Sequence, residues 1–539
     1  MEHADGYDRR WWILAVLCLS LLIIVMDNTI VNVALPTLVR KLHSTESQLQ
    51  WTVDIYSLLF AGLLLTMGNL GDRFGRATTL AIGLGVFGLG SLASSFAGSS
   101  DVLIATRALT GVGAALIMPA TLSILTNVFP PEERAKAIGI WAGVSGVAVA
   151  VGPVVGGLLL VHFYWGSIFL INVPICLFAL VVGRFIVPNS RDPEARRLDP
   201  TGAILSIIGL DALVYGIIEA PQKGWGSTSI VAAFVIAAIV LAGFVVWELR
   251  SDHPMLNVKF FANPRFTAAS VSIMLVFFAM FGAIFFLTQY LQFVRNYTAL
   301  QAGVRLVPMA AVMLVLAPLA GQAVKKLGTK GMVAGGMAIG AAGLWYMALT
   351  RDSSGYEHVL IGLVLVAAGL ALSMVPATDS IMGSLPLGQA GVGSAMNDTT
   401  REIGGALGVA ILGSILASTY GPAIAHALGH QLPSTALAAA KSSVGGAIGV
   451  GQSVIAQGNA VAGRAIITAA DHAFIHSMDG ALKAGALVAL LGCVISAIWL
   501  PNRPPAQMDE PTAMEEAGLD EAALTVEGSE VVAAASGEV

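Results

Sequence analysis

Three charged residues, Asp27, Asp54 and Arg107, stand inside otherwise apolar stretches. A charge within a bilayer is costly unless it is paired or faces water, so such residues are candidates for function. Counted along a helix, Asp27 falls roughly 9 Å, Asp54 roughly 6 Å and Arg107 roughly 8 Å from the same outer end of their stretches. They can therefore share one cavity. A carboxylate there is driven toward neutrality by loss of water and toward ionisation by a neighbouring arginine. Balanced between the two, it can hold a proton or a cation but not both. A second charged group is Asp398, Arg401 and Glu402, in which Asp398 lies one turn from Arg401 and shares a face with Glu402. Aromatic rings accompany both groups. Phe278, Phe281 and Phe285 recur at helical spacing, and Trp51 and Tyr56 flank Asp54; such rings can stack on lipophilic cations.

The elements that must hold these residues follow from composition. Of 539 residues only 11% are charged, against about a quarter in soluble proteins, and 56% are hydrophobic. That excludes a cytosolic enzyme, a nucleic-acid binder and a disordered scaffold. A spanning helix needs about 20 apolar residues. Windows that qualify lie near 11–33, 50–69, 77–99, 102–126, 137–161, 165–187, 200–218, 228–247, 267–291, 302–324, 331–350, 358–381, 391–419 and 484–500. The first follows Arg9 and Arg10 but reaches no cleavage site, so it reads as a retained helix. Residues 420–483 are too weakly apolar to span and read as a long loop. Residues 506–539 hold nine acidic residues and no basic one, a disordered tail; the rest of the chain carries a net charge of +4. With the N-terminus inside, 17 Lys and Arg fall on the cytoplasmic side and nine outside, so both termini are expected in the cytoplasm.

Cys18, Cys176 and Cys493 are isolated in apolar runs, without the spacing of a disulfide or zinc framework. His472 and His476 are one turn apart, but they read as the exposed face of a surface helix rather than a metal site. No Gly-x-x-x-x-Gly-Lys-Ser/Thr stretch occurs, which argues against nucleotide drive.

The chain also repeats itself. Gly68 and Gly75 enclose Asp72 and Arg73, with Arg76 beyond; Gly321 and Gly328 enclose Lys325 and Lys326. Both loops place two glycines seven residues apart around basic residues. Any short cytoplasmic turn can hold glycine and positive charge. If spans 7 and 8 are an insertion, however, these loops occupy equivalent positions in two six-helix halves. Duplicated halves mark alternating-access transporters.

Gly68–Arg76 resembles the loop motif of the major facilitator superfamily. Met26–Pro36, with Asp27 as its second residue, resembles the first-helix motif of the superfamily's 14-span drug:proton antiporter branch. Arg107–Gly113 is similar to that branch's fourth-helix motif, and Gly143–Gly157, with Gly152, Pro153 and Gly156 near its end, to its antiporter motif. Trp51–Ser57 and His162–Pro174 are most similar to the quaternary-ammonium exporters of the QacA/SmvA type. One departure falls in span 10, where some relatives carry a carboxylate and Met309–Pro318 has none.

The resemblance implies an all-α polytopic membrane protein with a major facilitator fold of 14 transmembrane helices. Its parts are an N-terminal six-helix half (1–187), two inserted helices (188–266), a C-terminal half (267–505) with the long extracytoplasmic loop 420–483, and the tail 506–539. It implies proton-coupled efflux of lipophilic cations (quaternary ammonium compounds, cationic dyes, antibiotics) across a bacterial inner membrane. Protons, the cationic substrate and the lipid bilayer are the expected partners. No cofactor, metal, nucleotide or nucleic acid is expected, and no enzymatic activity. Asp27 and Arg107 are assigned to proton coupling. Cation recognition falls to Asp54, Trp51, Tyr56, Asp398, Glu402, Phe281 and Phe285. Gly68, Asp72, Arg73, Gly75 and Arg76 are assigned to gating, and Gly143, Gly152, Pro153, Gly156 and Gly157 to a close-packed hinge. An exporter of an endogenous lipid or metabolite on the same scaffold remains open, as does a membrane sensor without transport.

Overall fold

A computed structural model describes residues 7–42, 46–191, 199–251, 254, 256, 258–351, 354–386 and 389–501; the acidic tail expected at 506–539 lies outside them. All regular structure among them is helical. The first half comprises α1 (Arg10–Leu42), α2 (Glu46–Phe74), α3 (Arg76–Ser95), α4 (Ser100–Val128), α5 (Pro131–His162) and the broken helix α6 (Ser167–Leu170) and α7 (Asn172–Ile186). The inserted pair is α8 (Pro200–Lys223) and α9 (Thr228–Arg250). The second half comprises α10 (Pro264–Gln289), α11 (Ala299–Ala348), α12 (Tyr356–Met382), α13 (Ala390–Leu428), α14 (Ser434–Ser442), α15 (Val444–Ala456) and α16 (Ala460–Trp499). Among the described residues, fourteen segments are long and apolar enough to cross a bilayer. This bears out the number read from hydropathy: α6 and α7 make one segment and α11 makes two.

Several helices begin where the sequence offers an acceptor. The Ser99 side chain accepts from the Val102 amide at the head of α4. Asp199 accepts from Gly202 N at 2.8 Å, ahead of Pro200 in α8. Thr298 and Gln301 form a reciprocal cap on α11. Within lipid a helix satisfies its backbone internally, so long apolar runs have few alternatives.

An even number of crossings puts Arg10 and Trp499 on one side, termed here the basal end. There the repeated loops turn at glycine. Gly75 has φ 105° and Gly328 φ 76°, a left-handed conformation that a side chain disfavours. The first glycine of each loop meets the opposite half. A Cβ on Gly68 of α2 would lie 2.5 Å from the Gly391 carbonyl oxygen of α13. A Cβ on Gly321 of α11 would lie 2.6 Å from the Ala135 carbonyl carbon of α5. The inserted helix α8 packs against α2 of one half and α13 of the other, and α9 packs on α8.

The segment 420–483, expected as a loop, is largely helical. It comprises the end of α13, then α14, α15 and the first half of α16, which packs along α15. Shortness hid this: α14 and α15 have 9 and 13 residues, too few to fill a spanning window. Its apolar residues (Ile424, Leu428, Val444, Ala447, Ile466, Ala470, Phe474) bury one face against neighbouring helices, whereas a spanning segment is apolar nearly all round. His472 and His476 are exposed on α16.

Candidate functional site

Asp27 and Arg107 meet. Asp27 is 0% and Arg107 1% exposed, and the guanidinium Nη1 donates to Asp27 Oδ2. The same Nη1 reaches Thr110 Oγ1 at 3.3 Å, and Nε donates to the Thr52 carbonyl at 3.3 Å. Asn172 Nδ2, at the head of α7, donates to Asp27 Oδ1 at 2.7 Å and reaches Ser91 Oγ at 3.4 Å. The guanidinium lies 4.4 Å from the centre of the Tyr56 ring and 5.8 Å from that of Phe169. Helices α1, α2, α3, α4, α6 and α7 thus converge on one carboxylate, with a cation at one oxygen and a neutral amide at the other. Sequence reasoning missed Asn172 as a partner: an uncharged amide gives no signal by type, although its place in the His162–Pro174 stretch had drawn notice.

Tyr56 requires a correction. Expected on a substrate-facing surface beside Asp54, it is 0% exposed, its ring covering Arg107 and its hydroxyl 3.5 Å from the Ile24 carbonyl. Helical geometry explains this: Asp54 and Tyr56 are about 200° apart around α2. Asp54 is half-buried, outside the hydrogen bonds that join Asp27 and Arg107. Trp51, also half-buried, stacks on Tyr215 of α8 with ring centres 6.4 Å apart.

The second group lies on α13. Asp398 Oδ1 accepts from Arg401 Nη1 at 3.4 Å and from Asn397 Nδ2 at 3.1 Å. Thr378 donates to the other end of the Asn397 amide at 3.1 Å. The Arg401 guanidinium lies 4.6 Å from the Phe277 ring centre and 5.4 Å from that of Trp141 on α5, so this arginine touches both halves. Glu402 is half-buried one turn on from Asp398. Phe281, 37% exposed, stacks on Phe277 at 5.8 Å and lies over Gly405; Phe285 is 39% exposed.

At the basal end Asp72 takes donors from both halves. Arg76 Nη2 and Nε donate to its Oδ1 at 2.7 and 2.9 Å. From α13 the Gly391 amide donates to Oδ1 at 2.9 Å and the Val392 amide to Oδ2 at 3.1 Å. These amides are free donors in the first turn of a helix, where negative charge is favoured. Arg73 is half-buried, 5.6 Å from the Phe74 ring centre.

The glycines of α5 seat two different helices. A Cβ on Gly143 would be 3.2 Å from Leu314 Cα of α11. One on Gly152 would run into Thr29 Oγ1 of α1, and one on Gly156 would meet Ile30 Cγ1 at 2.6 Å. Gly157 faces Leu300, and Pro153 sits beside Gly303, both on α11. One helix therefore contacts the other half and also the turn of α1 that carries Asp27.

A two-part helical bundle with paired charges buried between helices and close contacts joining its parts has the architecture of a secondary transporter. The sequence profile of the Major Facilitator Superfamily matches residues 17–409, and the chain belongs to that superfamily. It is 35% identical to the methyl viologen resistance protein SmvA of Salmonella typhimurium over 90% of this chain and 97% of that protein. It is 36% identical to the multidrug efflux pump LfrA of Mycolicibacterium smegmatis over 82% of this chain and 87% of that one. To the tetracenomycin C resistance and export protein of Streptomyces glaucescens it is 36% identical over 77% of each. Among solved structures, the human organic anion transporter MFSD10 superposes with a TM-score of 0.59 at 13% identity, covering 90% of this chain and 99% of that one. A bacterial homologue of the lysosomal transporter Spinster superposes at 0.57 and 19% identity, covering 93% of this chain and 100% of that one. The chain is a multi-span membrane transporter of this superfamily.

Proposed function

We propose that the protein is a proton-driven exporter of lipophilic cations, working by alternating access across a bacterial inner membrane with its basal end in the cytoplasm. The observation that carries this reading is the buried Asp27, held by Arg107 on one oxygen and Asn172 on the other. Relatives named for multidrug efflux and resistance support it. Protonating Asp27 removes the charge that holds Arg107. The guanidinium then remains under Tyr56 with the Thr110 hydroxyl and the Thr52 carbonyl. Proton binding is thereby converted into a changed attraction between α1, α2 and α4. Asp54, Asp398 and Glu402 supply negative charge for a cationic substrate, and Phe281 and Phe285 offer it partly open ring faces. At the basal end, Asp72 on the first turn of α13 closes the cytoplasmic side, and opening must break that cap.

The test is transport in proteoliposomes. An imposed pH gradient should move ethidium, and Asp27→Asn should abolish that movement while the protein still inserts and remains monodisperse. Wild-type rates in that variant would refute the reading. Gradient-driven flux of a lipid or metabolite alone would move the protein to a different substrate class.

A further inference from the structure

Asp211 takes no part in the sites above. It stands midway along α8, roughly 17 Å from either end at about 1.5 Å per residue. Its carboxylate lies on bare backbone of α2: a Cβ on Gly62 would sit 2.6 Å from Asp211 Cγ and 3.2 Å from Oδ2. Oδ1 is buried and has no hydrogen-bond partner among the described residues. Two hydroxyls on the helices packed against α8 share that condition: Thr66, one turn along α2 from Gly62, and Thr399 on α13. The three helices meet in one apolar cluster containing Leu65 of α2, Leu210 of α8 and Val392 and Ala395 of α13, with Ile403 against it.

Among the described residues no cation forms an ion pair with the carboxylate. Arg73 and Arg250 stand at the ends of α2 and α9, about half a bilayer away; the Lys223 ammonium reaches back along α8 but is engaged with Glu219 at 2.9 Å and the Tyr215 hydroxyl at 2.8 Å, and Arg401 is engaged with Asp398 and the Phe277 and Trp141 rings. The acidic residues of the helices around it include Asp54, Asp72, Asp199, Glu219, Glu248, Asp398 and Glu402. An ionised, unpartnered carboxylate at the middle of the span is unfavourable, whereas its acid form is neutral and can donate.

We propose that Asp211 is a proton-binding site of the transport cycle, occupied while α2, α8 and α13 are packed together and emptied when they part. The proposal rests on the proton-driven reading above and adds a second carrier to Asp27. Helices α2 and α13 belong to opposite halves, and α8 touches both. Rocking of the halves must open α8 against at least one of them, which admits water and lets Asp211 ionise. Two protons exchanged for one monovalent cation move a net charge across the membrane; one proton does not.

The experiment separates the two driving forces in proteoliposomes, with ethidium as the probe and a potassium diffusion potential imposed with valinomycin. Wild-type protein should respond to a pH gradient and to the potential alone. Asp211→Asn is isosteric and removes no hydrogen bond, so it should fold. It should still respond to the pH gradient through Asp27, while its response to the potential falls by about tenfold or more. A wild-type response to the potential in this variant, or equal loss of both responses, would overturn the proposal. Absence of any gradient-driven flux in the wild type would refute the proton-driven reading itself. A second measurement needs no variant. Dicyclohexylcarbodiimide modifies carboxyl groups in their acid form, so labelling of the Asp211 peptide should fall by about tenfold or more from about pH 6 to about pH 9. Labelling that is absent at the lower pH, or that does not change, also overturns it.

Discussion

Replacing Gly68 with alanine tests whether the basal contact belongs to a conformational equilibrium or only to the folded state. The new Cβ would lie 2.5 Å from the Gly391 carbonyl oxygen and 2.7 Å from Ala395 Cβ. Ordinary contacts are about 3.5 Å or more, so α2 and α13 must separate by several tenths of an ångström or more. Neither obstacle can rotate away, because one is backbone and the other a Cβ. Separation also stretches the bonds from Gly391 N and Val392 N to Asp72, now 2.9 and 3.1 Å. Overpacking of this kind costs about 1–3 kcal/mol. It weighs only on arrangements in which α2 touches α13, so the population with an open basal end should rise by about 5- to 150-fold. The assay is maleimide modification of a single cysteine at Ala390, a buried position at the start of α13, after Cys18, Cys176 and Cys493 have been replaced. Modification should accelerate by that factor. Gly331→Ala, at a basal position with open space around it, should change nothing. If Gly68→Ala lowers the melting temperature but leaves the modification rate unchanged, the clash is spread through the whole fold and the gating argument fails.

Two further outcomes follow from the Asp27 surroundings. Asn172→Ala removes a donor to a charged oxygen, a bond worth about 1.5–3 kcal/mol. Ethidium efflux at a fixed pH gradient should fall by about tenfold or more, and a fall below about threefold would show that Arg107 alone suffices. Gly152→Ala drives a methyl into Thr29 Oγ1 beside the turn carrying Asp27 and should slow efflux by about the same factor. Thr29→Ala added to it should restore most of the loss; a double variant no faster than Gly152→Ala would place the obstruction elsewhere, at the Met26 carbonyl.

What the sequence disclosed follows the physics of each signal. The spans were legible because a bilayer requires long apolar runs, and Asp27 and Arg107 because a charge inside such a run is conspicuous. Asp72 was legible as an acid in a basic turn, though not which amides it would meet. Tyr56 was grouped with Asp54 because it flanks it in sequence, whereas two positions along a helix lead to nearly opposite sides. Asn172 and Ser91 were silent because neutral polar groups show their purpose only through the partner they reach. The helices in 420–483 escaped because α14 and α15, at 9 and 13 residues, are too short to fill a spanning window.

Helix α16 is 40 residues long, about 60 Å at 1.5 Å per residue, while the hydrocarbon layer is about 30 Å thick. With its Trp499 end basal, roughly half of it stands beyond the distal face as a rod without an internal proline. Any tilt of the second half about the bilayer centre is therefore magnified at its tip: a 10° tilt displaces a tip about 45 Å from that centre by about 8 Å. The helical extension acts as a mechanical pointer, translating sub-ångström repacking around buried carboxylates into a displacement large enough to be measured from outside the membrane.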